Sequence, residues 1–418
     1  MQNYSSLAMN CDSNESLSVY QNEVRYELDE ILAYWMRNTH DAENGGFIGR
    51  IDENNLPHCD TPKGAVLNAR ILWSFSAAYQ VTQNADHLYL ARVAFEYFKT
   101  YFIDPEYGGV YWTVDAKGHP LETKKQVYAV AFAIYALSEF YISTKNESAK
   151  EMAIELYKSI EKYGFDDQLT GYLEAFSRDW QPMHDLRLSD KDANEKKTMN
   201  THLHVLEAYS NLYKIWPDTK LKTQIENLVK NFLDYFIDEK TGHLNLFFDE
   251  NWNAKSGIIS FGHDIEAAWL LLEAAETIDN ESIIEEIKKI SIKISTAAAR
   301  GLDTDGALWY EYDIESQHMN KEKHWWVQAE AMVGFLNHWQ LTKDDIYLQR
   351  SLNAWSYTKE FIKDKVYGEW LWGRTGNGNI MPNQDKAGLW KCPYHNSRAC
   401  IEIVRRLKNY NKGLIADC

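Results

Sequence analysis

The run Gly108-Gly109-Val110-Tyr111-Trp112 is followed by two helical patterns, at about 125–142 and about 147–163, before the next glycine turn arrives at Gly171-Tyr172-Leu173. The same unit occurs along the chain. It opens at Gly45-Gly46-Phe47-Ile48 and returns at Gly242-His243-Leu244, Gly306-Ala307-Leu308-Trp309 and Gly368-Glu369-Trp370-Leu371-Trp372. Counted from Gly46, the steps are 63, 62, 71, 64 and 62 residues. A fixed period met six times is the mark of a repeat architecture. Each glycine run follows an acidic or polar turn and reads as a short strand or hairpin.

Helical spacing of apolar residues predicts further pairs at about 64–80 with 86–102, 198–214 with 221–237, 262–277 with 281–300, and 323–341 with 345–363. The segment Ala65 to Trp73 is apolar nearly all round, Arg70 excepted, as expected of a helix buried on most sides. With a first helix at about 18–37 and a last at about 393–409, the count is twelve. That predicts an all-α, (α/α)6 barrel with short β-hairpins at one end. An open solenoid is the alternative, but it would expect polar capping helices at both ends, and Lys391-Cys392-Pro393-Tyr394-His395 does not look like a cap. No Pro-, Gly- or Ser-rich linker divides the chain. Residues 1–17 are expected to be a loose tail and 18–412 one catalytic domain.

Composition narrows the partners. Sixty-one acidic against 44 basic residues give a net charge of −17, so the basic footprint of a nucleic-acid or anionic-membrane partner is missing. No stretch reads as a membrane span, no leader is evident, and the five cysteines (Cys11, Cys59, Cys392, Cys400 and Cys418) form no CxxC. The expectation is a cytoplasmic protein, most simply a monomer, acting on a small neutral molecule.

The unusual polar residues fall where inner helices begin: Arg70, Tyr128, Asn200 with His202 and His204, His263 with Glu266, Trp325-Trp326 with Gln328 and Glu330, and Trp390 with His395. Taken singly, each has a structural explanation. A lone buried histidine is more often a satisfied core residue, a buried arginine usually has a carboxylate partner, and paired tryptophans fill cores. Convergence of six segments on one end of one cavity favours an active site. His202 and His204 point about 200° apart on a helix and cannot share an ion there. His263 and Glu266 could, but no HExxH or paired-cysteine motif accompanies them. No glycine-rich phosphate loop opens a helix after a buried strand, so no nucleotide cofactor is expected. A glycosidase would want two flanking carboxyls. Histidines dominate instead, and imidazole both takes and gives protons near neutrality.

Several of these stretches resemble the cellobiose 2-epimerases of the N-acylglucosamine 2-epimerase superfamily: 63–79 (KGAVLNARILWSFSAAY), 107–112 (YGGVYW), 131–141 (AFAIYALSEFY), 197–209 (KTMNTHLHVLEAY), 260–270 (SFGHDIEAAWL), 325–335 (WWVQAEAMVGF) and 390–400 (WKCPYHNSRAC). The resemblance spans nearly the whole chain. It implies the same barrel, no metal or nucleotide, and reversible inversion of C2 in the reducing-end sugar of a disaccharide such as cellobiose. By motif position it puts catalytic histidines at His204, His263 and His395 and a catalytic-site glutamate at Glu266. Sugar contacts fall on Arg70, Tyr128, Asn200 and Trp390, and on the Trp325-Trp326 pair, with Trp326 the favoured member. His202 has no such role. In the scheme expected, His263 and His395 exchange protons with C2 through a cis-enediolate, and Glu266 orients His263 or helps open the ring. The polar segment Leu186 to Lys196 is expected to lie over the cavity mouth, with Asp192 as a candidate contact. Mannobiose or an N-acylglucosamine is the alternative substrate, and a glycoside hydrolase on the same barrel the distant one.

Overall fold

The computed structural model describes residues 13–416. Six helices form an inner ring: α2 (Ala65–Thr82), α4 (Val127–Thr144), α6 (Met199–Tyr213), α8 (Phe261–Ile278), α10 (Trp325–Thr342) and α12 (Tyr394–Ala416). Six lie outside them: α1 (Ser13–Asn38), α3 (Ala85–Tyr101), α5 (Glu147–Ser159), α7 (Thr219–Asn231), α9 (Glu281–Ala298) and α11 (Asp345–Tyr357). Each inner helix packs on the next, and α12 returns to α2, so the ring closes. The first and last helices make the sixth pair. The outer ring closes too: Glu23 of α1 accepts from Trp355 Nε1 at 2.7 Å and Lys359 Nζ at 2.6 Å. This is the (α/α)6 barrel expected from the repeat. One boundary shifts: α1 begins at Ser13, inside the stretch expected as a tail, and residues 1–12 lie outside the described residues.

The two rings differ in sequence for a physical reason. An inner helix is covered on every side, and residues 65–78 of α2 are all buried. The 18 residues of α4 are even long and apolar enough to cross a membrane, against the reading that no such stretch exists, but most of them are buried inside the barrel. Outer helices bury one stripe only. Two-residue links join four of the pairs. Gln83, Lys145, Asp279 and Lys343 end an inner helix in the left-handed conformation, and Asn84, Asn146, Asn280 and Asp344 then cap the outer helix through their side chains.

At the other end, five of the six inner helices are entered through a short strand paired with the next hairpin: Lys63–Gly64 with Thr113–Val114, Lys125–Gln126 with Ala175–Phe176, Lys197–Thr198 with Phe247–Phe248, Ile258–Ser260 with Glu311–Asp313, and Lys323–His324 with Gly373–Arg374. The glycines are needed at the turns. Gly171 has φ +84°, and a Cβ there would come within 2.5 Å of Trp252 and 2.8 Å of His202 Nε2.

A charged device repeats with the hairpins. Lys63 Nζ meets Asp41 at 2.8 Å, Lys125 meets Asp104 at 2.8 Å, Lys197 meets Asp166 at 2.8 Å, Lys323 meets Asp303 at 2.7 Å and Lys386 meets Asp364 at 2.5 Å. Each buried lysine ties a glycine turn to the chain entering an inner helix. The turn at Gly242 uses His243 and Asp264 instead, at 2.6 Å. The long step of 71 residues is the insertion before α6, where Gln126 Nε2 holds Arg187 O at 2.8 Å and Asn194 Oδ1 holds Leu186 N at 2.8 Å.

Candidate active site

Three histidines stand at the hairpin end of the inner ring, each anchored through Nδ1. His204 Nδ1 lies 2.9 Å from Glu207 Oε2, His395 Nδ1 lies 2.7 Å from Glu330 Oε1, and His263 Nδ1 lies 2.9 Å from Ser260 Oγ. An ionised carboxylate only accepts, so beside one Nδ1 carries the hydrogen and Nε2 is the free base. None of these three Nε2 atoms has a protein partner among the described residues. His202 is the contrast. It is fully buried, its Nδ1 bonds Thr198 O at 2.7 Å, and its Nε2 accepts from Tyr172 N at 2.8 Å. Both nitrogens are spent on backbone, and burial pushes its pKa down to about 3. His202 is structural.

The other expected residues gather around these imidazoles. Trp326 packs against His263 and His395, with ring centroids 4.9 Å and 5.6 Å away. Tyr128 stands edge-on to His204 at 5.2 Å and contacts Trp390 at 6.1 Å. Arg70 donates to Tyr128 Oη at 2.8 Å and lies over the Phe132 ring. It is buried, and among the described residues it has no carboxylate partner and its Nε has no partner at all. The Oδ1 of Asn200 is also buried and unpaired. Both side chains therefore hold hydrogen-bonding capacity that the protein itself does not use.

Two expectations need correction. Trp325 is not brought to the histidines. It is buried against Trp372 at 4.5 Å, with the Lys391 ammonium over its ring at 5.2 Å, and it fills the core. Consecutive helical residues point about 100° apart, so one tryptophan of the pair must turn away. Glu266 does not orient His263, which Ser260 holds. Its Oε1 accepts from Arg398 at 2.5 Å and lies 4.0 Å from His395 Nδ1.

Beneath the histidines lies a buried charge cluster. Arg398 bridges Glu207, Glu266 and Glu330, Tyr394 Oη donates to Glu207 at 2.6 Å, and Trp269 Nε1 donates to Glu330 at 3.1 Å. Burial raises the Glu207 carboxyl, but Arg398, His204 and Tyr394 outweigh it and hold the group at about 2. Burial lifts Glu330 above the usual carboxylate range and depresses His395 below the usual imidazole range. Both shifts favour the uncharged form of each group. Burial also lowers His263. Counting Arg70, three carboxylates face two guanidiniums, which leaves room for one proton in the cluster. Glu266, Glu330 and His395 have ligand atoms within 4.8 Å of one another, spacing that could suit a cation. Arg398 already binds both carboxylates there and supplies the counter-charge, so the donor set does not fit a resident metal.

A cavity of about 280 Å³ opens above, lined by Asn200, His263 and Tyr310, by the hairpin residues Glu311 and Glu322, and by the insertion including Asp192. The segment Leu186 to Lys196 thus borders the mouth as expected. Asp192 engages Ser189 with one carboxylate oxygen, Oδ2, which accepts from N at 2.8 Å and Oγ at 2.7 Å. A larger hollow along Glu281 to Ile290 lies on the outer helix α9 and includes none of these histidines.

Sequence reasoning missed Glu207, Tyr394 and Arg398, and placed Glu330 without a role. Only Glu207 carried a local signal, three residues after His204 on one helical face. The other contacts cross between helices distant in sequence.

Comparison with known proteins gives this site its class. Residues 46–399 match the N-acylglucosamine 2-epimerase (GlcNAc 2-epimerase) family, and the chain belongs to that family. Among its relatives, a cellobiose 2-epimerase of Bacteroides fragilis is 46% identical over 92% of this chain and 99% of its own. One of Dictyoglomus turgidum is 38% identical over 94% and 100%. The solved cellobiose 2-epimerase of Bacillus thermoamylovorans superposes with a TM-score of 0.90 at 40% identity, covering 93% of this chain and all of that one. The chain is accordingly a carbohydrate epimerase, an isomerase of the cellobiose 2-epimerase type. The barrel alone would not have said so: an α-mannanase of Bacteroides thetaiotaomicron shares it with a TM-score of 0.62 at 13% identity.

Proposed function

We propose that the protein reversibly epimerises C2 of the reducing-end glucose in β-1,4-linked disaccharides, converting cellobiose to glucosyl-mannose without a cofactor. The observation that carries this reading is the set of three imidazoles fixed through Nδ1 with Nε2 free. C2–H becomes acidic only beside a carbonyl, so the ring opens first. A base on one face then takes the C2 proton, leaving a cis-enediolate, and an acid on the other face returns one. His263 and His395, both in contact with Trp326, are this pair. Each is base in one direction and acid in the other. Glu330 holds the tautomer of His395, and Glu207 that of His204. Arg70 and Asn200, with unspent polar atoms, hold the O1/O2 edge with His204 and stabilise the enediolate's charge. Tyr128, Trp326 and Trp390 flank the sugar. The relatives named cellobiose 2-epimerases support the disaccharide. The free thiols of Cys59, Cys392 and Cys400 support a reducing, cytoplasmic setting.

NMR of cellobiose incubated with chelator-treated protein in D2O tests the reading. The expected result is a reducing-end mannose signal with deuterium at C2. Turnover of mannobiose or N-acetylglucosamine but not cellobiose would move the substrate, and release of free glucose would overturn the reaction class.

A further inference from the structure

The repeat singles out one residue that the chemistry above does not use. In five hairpins, one carbonyl accepts the first N–H of an inner helix: Trp112 O from Ala65, Glu174 O from Val127, Leu246 O from Met199, Tyr310 O from Phe261 and Trp372 O from Trp325. These five residues are equivalent by hydrogen bonding, and four are aromatic or aliphatic. The fifth, Glu174, is a carboxyl only 2% exposed, with no ion-pair partner among the described residues. Burial pushes it up to about 8, against the hydroxyl and amide donors around it. A buried carboxyl without a counter-ion is costly unless its hydrogen bonds do something the apolar siblings cannot.

Its side chain reaches across to the start of α6. Glu174 Oε1 accepts from Thr198 N at 2.9 Å and Thr198 Oγ at 2.8 Å, and Oε2 accepts from Thr201 Oγ at 2.6 Å. Thr198 is the N-cap of α6, its own Oγ accepting from Thr201 N at 3.2 Å. A carboxyl is thus clamped over the positive end of the helix that carries Asn200 and His204. It also lines the cavity shared by Asn200 and His263. Thr201 and Thr198 flank Asn200 closely, so a shift of this turn moves Asn200 first and His204 one turn later.

We propose that Glu174 is a positioning residue for the epimerisation, clamping the first turn of α6 so that Asn200 and His204 meet the sugar in register. The inference rests on the functional reading above only for the reaction that is assayed. The clamp fixes a helix start whose displacement by about 1 Å would cost rate at the reacting centre.

Glu174→Leu places in this hairpin the residue that Leu246 supplies in the next, so the barrel is expected to tolerate its bulk. Amide hydrogen exchange across 198–205, thermal melting, and kcat and KM on cellobiose are measured for Glu174→Leu and Glu174→Gln. The expected result is faster exchange confined to the start of α6 and a fall in kcat of at least about tenfold for the leucine variant. The glutamine variant, which keeps both an acceptor and the shape of the neutral acid, recovers most of each. Unchanged exchange and kcat in Glu174→Leu overturns the proposal, as does a loss that merely tracks the unfolded fraction. Should the wild type leave cellobiose untouched while exchange responds as described, the clamp stands and the assigned substrate falls.

Discussion

Two sets of buried ionic groups in the barrel are balanced differently. Around the hairpin end, five lysines each meet a turn aspartate, as Lys63 meets Asp41 and Lys125 meets Asp104. At the centre, Glu207, Glu266 and Glu330 share Arg398, with Arg70 nearby and imidazoles at two of the carboxylates. The lysine–aspartate contacts, closed by further bonds to backbone carbonyls such as Gly45 O, hold turns in place. An odd charge count closed by histidines leaves a proton that can move. Buried charge by itself therefore marks neither stability nor catalysis; the imidazoles among the central carboxylates distinguish the two sets.

Breaking each set tests that distinction. Arg398→Met strands three carboxylates and is expected to cost about 3–5 kcal/mol of stability, read by chemical denaturation, with loss of measurable turnover in the folded protein. Lys63→Met is expected to cost about 3 kcal/mol while leaving kcat of the folded fraction unchanged. Acid probes the central set next. The native Glu207 carboxyl sits at about 2 rather than its ordinary 4.5, so its contribution is complete above pH 4.5 and is lost as pH falls toward 2. That contribution is of order 3 kcal/mol, and the slope of stability with pH in this window should flatten in Glu207→Gln.

Smaller effects sharpen the picture within the centre. Glu330→Gln keeps an acceptor for His395 Nδ1 but removes its charge, and kcat is expected to fall about 100-fold with KM nearly constant. Because burial lowers His263 and His395 below the usual imidazole range, the base forms persist on acidification. The acid limb of kcat/KM should accordingly lie below pH 6.5. Least affected is His202→Asn, expected to cost about 1–2 kcal/mol through Tyr172 N and Thr198 O with kcat intact.

The architecture was legible because its signal is periodic: six glycine turns fix the ring, and helices apolar all round can only be inner ones. The clustering of the three histidines was legible because three helix starts carry them. Trp325 and Trp326 show the limit, since a dipeptide on a helix sends one ring to the core and sequence does not say which. Arg398 shows another, because its partners Glu207, Glu266 and Glu330 come from three other helices and no spacing connects them. The Lys–Asp ring was readable in principle, as an Asp opening each glycine turn and a Lys two residues before four of the inner helices, but the turn acids pass for ordinary solvated loop residues.

The central claim is that His263 and His395 work from opposite faces of C2. Solvent deuterium exchange at C2, followed by NMR from cellobiose and separately from glucosyl-mannose, tests it in His263→Asn and His395→Asn. The account predicts that neither variant interconverts the epimers, and that each exchanges at most one of them, a different one in each variant. Exchange of the same epimer by both variants, or epimerisation surviving in either, would contradict it.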